Sequence, residues 1–121
     1  MAKAEIGGGD VPIILDGREL LLKPSLEACI AISKMGSINE VFAHIRSMHF
    51  ETICQVIGIG IGANPRQREK DIPEAVYNAG IFAVSAAAME YVHVIANGGK
   101  REEEEAEGVP AGESPLEPSP I

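Results

Sequence analysis

Apolar positions first alternate along the chain and then recur at helical spacing. Val11–Leu15 and Arg18–Lys23 flank Asp16-Gly17. An Asp-Gly pair between apolar runs predicts a β-hairpin, because a type I′ turn needs positive φ at both central residues. A two-residue loop pairs Leu15 with Arg18, Ile13 with Leu20 and Val11 with Leu22. That register gathers Val11, Ile13, Leu15, Leu20 and Leu22 on one face. Pro12, Ile14, Glu19 and Leu21 fall on the other. A slip of one residue would mix the two sets. A lone hairpin is marginal in water, so its apolar face must rest on helices.

Pro24 to Asn97 reads as helical. Ser25 is the expected N-cap of a first helix, with Glu27 in its first turn and Leu26, Cys29 and Ile30 as its apolar stripe. Gly36 ends it near Met35. Ser37-Ile38-Asn39-Glu40 is a capping box, in which Ser37 accepts from the Glu40 N–H and Glu40 reaches back. Ile38, Val41, Phe42, Ile45 and Met48 follow at helical spacing. A third helix runs from about Phe50 through Ile53, Val56 and Ile57, and is expected to decay into Gly58, Gly60 and Gly62. Ala63–Lys70 reads as a polar, basic loop. Asp71-Ile72-Pro73-Glu74 starts a short fourth helix with Pro73 in its first turn, and Gly80 breaks it. The last helix, about Ile81 to Asn97, puts Ile81, Val84, Ala88, Tyr91, Val92 and Ile95 on one face. Ala83, Ala86 and Ala87 would let a neighbour approach closely. Asn97-Gly98-Gly99 is its stop.

The fold class is therefore α+β, mostly α: an N-terminal β-hairpin packed on a bundle of about five short helices. Residues 1–10 are Gly-rich and read as flexible, residues 11–98 as the domain, and residues 99–121 as a disordered acidic, Pro-rich tail. That tail has nothing apolar enough to offset an ordering cost of about 1–2 kcal/mol per residue.

Charge sharpens this division. The formal net charge is −8, but Glu102, Glu103, Glu104, Glu105, Glu107, Glu113 and Glu117 all follow Arg101. The 18 acidic residues less these seven leave 11 against 10 basic ones, so the body is near neutral. Such a body has no electrostatic footprint for a phosphate backbone, and no nucleic-acid partner is expected. Aromatic residues make up 4% of the chain and Trp is absent, which argues against a base- or sugar-stacking site. No membrane association is expected either, because the apolar run Ile81–Ala96 is interrupted by Glu90 and His93 and is too short to span. Nor does the N-terminus carry the apolar core of a signal peptide. Cys29 and Cys54 sit in apolar helical patterns and read as two buried, reduced thiols of a cytoplasmic protein rather than as a disulfide.

The sequence offers no catalytic, metal or cofactor site. Gly58-Ile59-Gly60-Ile61-Gly62 follows a helix rather than a strand and lacks the Lys-Ser/Thr of a phosphate loop. Those glycines read instead as a frayed helix end or as a place of close helix contact. His44 and His49 are five apart across a helix junction, unlike the short spacings of zinc ligands. Glu51 and Glu90 fall where polar helix faces are expected, with no pairing for acid–base work. Arg66, Arg68 and Lys70 form a small basic cluster, read as a solvated loop or as a dock for an acidic partner or the chain's own tail. The strongest signal is apolar excess. In Ile53–Ile61 apolar residues occur on nearly all sides, which marks either a central core helix or a partner surface. Phe50, Ile57, Ile61 and Tyr91 are the candidate partner-binding residues on that patterning, and self-association is one use of such a surface.

Ile13-Ile14-Leu15-Asp16-Gly17-Arg18-Glu19-Leu20-Leu21-Leu22, followed by Pro24-Ser25-Leu26-Glu27, resembles the opening of the gene-transfer-agent-type phage tail assembly chaperones. Members have a hairpin around an Asp-Gly turn, then a helix with an acidic residue just after a leucine. A second helix like Ser37-Ile38-Asn39-Glu40-Val41 follows. An isoleucine- and glycine-rich segment like Val56–Ile61 comes next, then a short helix and a long alanine-rich one. The resemblance spans about Val11 to Asn97 and rests on element order and apolar pattern. It implies a non-enzymatic protein made in the bacterial host cytoplasm. Such a protein binds the tape measure and tail tube proteins during tail morphogenesis and is absent from mature particles. The same family is also described as a small tail tube protein, so a structural tube or connector subunit is the alternative. Tube subunits are built around β-sandwiches, however, and this chain predicts only one hairpin. A small bacterial adaptor or an enzyme with an unrecognised site is the second alternative.

Overall fold

The computed structural model describes residues 9–100. The flexibility expected of residues 1–8 and the disorder expected of residues 101–121 concern positions outside this range. Gly9 and Asp10, assigned above to the flexible segment, are buried. Gly9 lies against the backbone of Gly99 and the side chain of Val94, so the ordered body starts two residues earlier than the sequence suggests.

Strands β1 (Val11–Leu15) and β2 (Arg18–Leu22) pair antiparallel in the expected register, Val11 with Leu22 through Leu15 with Arg18. Asp16 and Gly17 have φ of 54° and 73°, the conformation a type I′ turn demands. Val11, Ile13, Leu15 and Leu22 are buried, and Leu20 is half-buried. Ile14, on the opposite face, is 64% exposed.

Five helices follow: α1 (Leu26–Ser33), α2 (Ile38–Arg46), α3 (Phe50–Ile61), α4 (Ile72–Ala79) and α5 (Ile81–Ala96). Ser25 caps α1 by accepting from the Ala28 N–H at 3.0 Å. The capping box of α2 is complete, with Glu40 N–H to Ser37 Oγ at 3.1 Å and Ser37 N–H to Glu40 Oε1 at 2.9 Å. His49 caps α3, its Nδ1 accepting from the Thr52 N–H at 3.2 Å, a role its spacing does not announce. The α2–α3 junction is tight. Met48 has a φ of 63°, and the His49 N–H reaches back to the His44 carbonyl at 2.9 Å.

Two expectations need correction. The third helix does not decay at Gly58. It continues through buried Gly58 and Gly60 and stops at Gly62, whose φ of 81° closes the end, with the Ala63 N–H bonded to the Gly58 carbonyl at 2.9 Å. The reason is at Gly60, where the backbone of β2 presses onto the helix: a Cβ there would lie 2.9 Å from Leu22 Cβ and 3.2 Å from its Cα. The close approach is to a strand rather than to another helix. Secondly, Ala63–Lys70 is not all loop. Asn64 and Gln67 bond each other's backbone N–H groups at 2.9 and 2.8 Å, and Gln67–Asp71 forms a π-helical turn that leads directly into α4. An Asn-x-x-Gln box does here what Ser-x-x-Glu does for α2.

Helix α3 is the centre of the fold and touches β2, the π-turn and each of the other four helices. Ile53, Val56 and Ile57 are fully enclosed. Helix α5 runs alongside and buries Val84, Ala88, Tyr91, Val92 and Ile95, as its spacing predicts, while Ile81, expected on the same face, is half-buried. The junction between β2 and α1 is clamped on both sides: the Lys23 N–H donates to the Gly60 carbonyl at 2.9 Å, and the Tyr91 hydroxyl donates to the Lys23 carbonyl at 2.6 Å. Gly80, with a φ of 96°, lets α5 turn by 117° from the axis of the helix before it. Among the described residues no single helix is long and apolar enough to cross a membrane.

Candidate partner-binding groove

The stripe expected on α1 is rotated in the structure. Leu26 is 76% and Ile30 47% exposed, while Ala28 and Ile32 are buried and Cys29 is half-buried. Leu-Glu-Ala-Cys-Ile-Ala-Ile is apolar on almost every side, so spacing alone does not choose between Leu26/Ile30 and Ala28/Ile32. Burial of the second pair against the body leaves the first pair in solvent.

Ile30 forms part of a groove of about 810 Å³ between α1, α3 and the π-turn. Its apolar lining is Ile30 and Ala31 from α1, Met35 just past its end, Phe50, Cys54 and Ile59 from α3, and Pro73 beyond the turn. Charged and polar groups rim it: Glu27 and Lys34 on one side, Glu51 and Gln55 on another, Arg68 and Glu69 on the third. An apolar floor with a mixed-sign rim suits a helical or extended segment with an apolar stripe, which would bury its stripe and keep its flanks solvated. Arg68 is held in place there. Its Nε donates to the Ala63 carbonyl at 3.0 Å, and its stem lies over Gly58.

The four candidate residues separate. Phe50 lines the groove and is 39% exposed. Ile61 is half-buried and lies outside the groove lining. Ile57 and Tyr91 are wholly buried, so both are corrected from contact residues to core residues. Ile57 lies on the face of α3 that packs into the body, and Tyr91 on the face of α5 that does so. Leu26 and Ile30 are the surface residues that the pattern concealed. A second apolar patch sits at the α4–α5 elbow, where Tyr77 and Phe82 are each 78% exposed.

The groove carries little chemistry of its own. Burial, and secondarily the neighbouring Glu51 carboxylate, push the Cys54 thiol up to about 11, so it stays protonated and is a poor nucleophile. Both cysteines are free thiols. Glu51 and Glu90 are exposed, as expected. The His44 and His49 rings stand 5.2 Å apart, and His93 packs on Phe42 at 4.5 Å. Among the described residues no three His, Cys, Asp or Glu side chains converge on a metal position. Comparison of the chain with protein-family models, curated proteins and solved structures finds no match.

Proposed function

We propose that this protein is a non-enzymatic tail assembly chaperone of a phage or gene transfer agent, holding an apolar segment of a tail component while the tail is built. The observation that carries the reading is the groove between α1 and α3, with Ile30 and Phe50 exposed on an apolar floor and charges around it. A holding protein needs an apolar grip that a soluble monomer tolerates, and a charged rim keeps such a surface from collapsing onto its own kind. The order of elements supports the same reading. The hairpin around Asp16-Gly17, the capped α2, the Ile/Gly-rich α3 and the long α5 follow the pattern of the family the sequence resembles. Tape measure proteins offer long helices with apolar stripes, and the tail tube protein is the second expected partner.

Quantitative mass spectrometry of purified particles against the lysate that produced them tests this. The expected result is a protein abundant in lysate, co-purifying with the tape measure protein and missing from particles. A copy number in particles like that of the tube protein overturns the chaperone reading in favour of a structural subunit.

A further inference from the structure

We infer that the elbow between α4 and α5 is the contact through which two copies of this chain pair about a two-fold axis. Three observations carry this. First, the elbow presents large apolar side chains to solvent. Tyr77 and Phe82 are each 78% exposed, more than any other large apolar side chain among the described residues. They are two of the chain's five aromatic residues, the type that fills the centres of protein interfaces. Gly80 stands between them at the 117° turn, and the space where a side chain on it would point is open. The corner is therefore accessible to a neighbour.

Second, this surface is free of charge. Residues 75–89 include no Asp, Glu, Lys or Arg, and Glu74 and Glu90 bound them. Beside the two aromatics, Asn78, Ala79, Ala83 and Ala86 are exposed. In a two-fold contact the residues near the axis meet their own copies, so a charge placed there repels itself. A stretch without charge meets that condition. The groove has the opposite character, with Glu27, Lys34, Glu51, Arg68 and Glu69 around it. Such charges give an unlike partner its register, and the elbow offers none. A lipid surface would accept the same aromatics, but the charges that flank the stretch are glutamates, which an anionic membrane repels.

Third, the area suits a small dimer. A Tyr or Phe side chain buries about 150–250 Å² when enclosed, so at 78% exposure the pair offers about 230–390 Å² per copy. Two copies supply roughly 460–780 Å² from these rings, and the exposed Asn and Ala residues bring the total toward the ~1,200 Å² at which specific interfaces begin. A contact of that size is weak and reversible, and forms over roughly tens to hundreds of micromolar. The net charge of −8 opposes pairing, and salt screens that repulsion. None of the elbow residues lines the groove, so the pairing stands apart from the holding role.

The test is sedimentation equilibrium of the full chain from about 10 μM to about 1 mM, the range that a contact of this size calls for. Wild type is expected to pass from monomer to dimer across it. Tyr77→Glu and Phe82→Glu each set like charges near the axis, and each should weaken pairing at least tenfold. Both positions are exposed, so Tm should stay within about 2 °C of wild type; a variant that melts earlier is replaced by Ala83→Glu on the same surface. Raising salt from about 0.05 M to about 0.5 M should leave the dimer unchanged or tighten it, because no ion pair is there to weaken. Overturning results are a monomer at the highest concentration, a dimer indifferent to these substitutions, a dimer that salt dissolves, or one broken instead by Ile30→Glu in the groove. A monomer that co-sediments with phosphatidylcholine–phosphatidylserine vesicles until Phe82 is replaced also overturns it and assigns the elbow to lipid.

Discussion

Replacing Gly60 by alanine tests whether the seat of α3 on β2 is as tight as the structure shows. In an exposed helix interior the change stabilises by about 0.5–1 kcal/mol, because glycine loses more backbone freedom on folding. Here the new methyl would stand 2.9 Å from Leu22 Cβ, 3.0 Å from Cδ2 and 3.2 Å from Cα. Two of these atoms belong to or adjoin the strand backbone, so rotamer change cannot relieve the overlap. Helix and strand must separate, which stretches the 2.9 Å Lys23–Gly60 bond. Overpacking of this kind costs about 1–3 kcal/mol, so the net expectation is destabilisation of about 0.5–2 kcal/mol. For a body of this size that is a fall in Tm of roughly 2–16 °C. Gly58→Ala is the internal control. Its methyl would meet only the Arg68 stem, 3.2 Å from Cγ, and that flexible side chain can swing aside. Its stability should change by no more than about 0.5 kcal/mol, or rise. Thermal and urea melts followed by circular dichroism measure both. A Gly60→Ala Tm equal to wild type, or equal losses in the two variants, refutes the argument from close approach.

Tyr91→Phe removes the bond to the Lys23 carbonyl, an acceptor in a partly buried place, so urea denaturation should show a loss of about 0.5–1.5 kcal/mol. Burial holds the Cys54 and Tyr91 protons: their pKa values rise from 9.0 to about 11 and from 10.0 to about 12. The unfolded chain thus releases these protons first. The contribution of these two groups is constant below about pH 9 and is lost as pH climbs through 9–12, with less of it lost in Cys54→Val; a melt series showing no alkaline decline contradicts this. Ile30→Glu and Phe50→Asp change exposed groove positions, so Tm should move little while affinity for a tape-measure segment drops at least tenfold by calorimetry; unchanged affinity in the folded variants removes the groove from the binding surface. Ser37→Ala removes one half of the α2 capping box and should cost about 1 kcal/mol in the same denaturation assay.

Much of the architecture is legible because local chemistry and tertiary packing agree. Asp16-Gly17 specifies the turn, and the turn specifies the register, so the buried face of the hairpin follows residue by residue. Ser25, Ser37 and Asn97-Gly98 mark helix ends whose orphan backbone groups need those side chains or that conformation. Where local chemistry points the wrong way, tertiary contact decides. Two glycines within three residues, Gly58 and Gly60, suggest a fraying helix, and the approach of Leu22 accounts for a glycine inside a helix that continues through them. The Asn64–Gln67 box was readable in principle, being the same reciprocal cap as Ser37–Glu40 with amides in place of hydroxyl and carboxylate.

The candidate surface was the least legible part, and the cause is shared by two helices. Both α1 and α3 are apolar nearly all round, and a pattern without a polar face does not say how many sides are covered. For α3 the excess suggested a partner surface, yet β2, the π-turn and four helices pack on most of it, and Ile57 vanishes into the core, as Tyr91 of α5 does. For α1 an ordinary stripe of Leu26, Cys29 and Ile30 was the natural choice. The helix is instead peripheral: Ala28 and Ile32 satisfy the body, leaving Leu26 and Ile30 in water. An eight-residue helix on the outside of a bundle has only one side to bury. Apolar residues on its other side therefore measure an unmet demand for contact, whereas the same residues on a central helix measure only its position. Under the proposed holding role, that asymmetry points to α1 and the N-terminal turn of α3, where Phe50 stands, as the surface to mutate first.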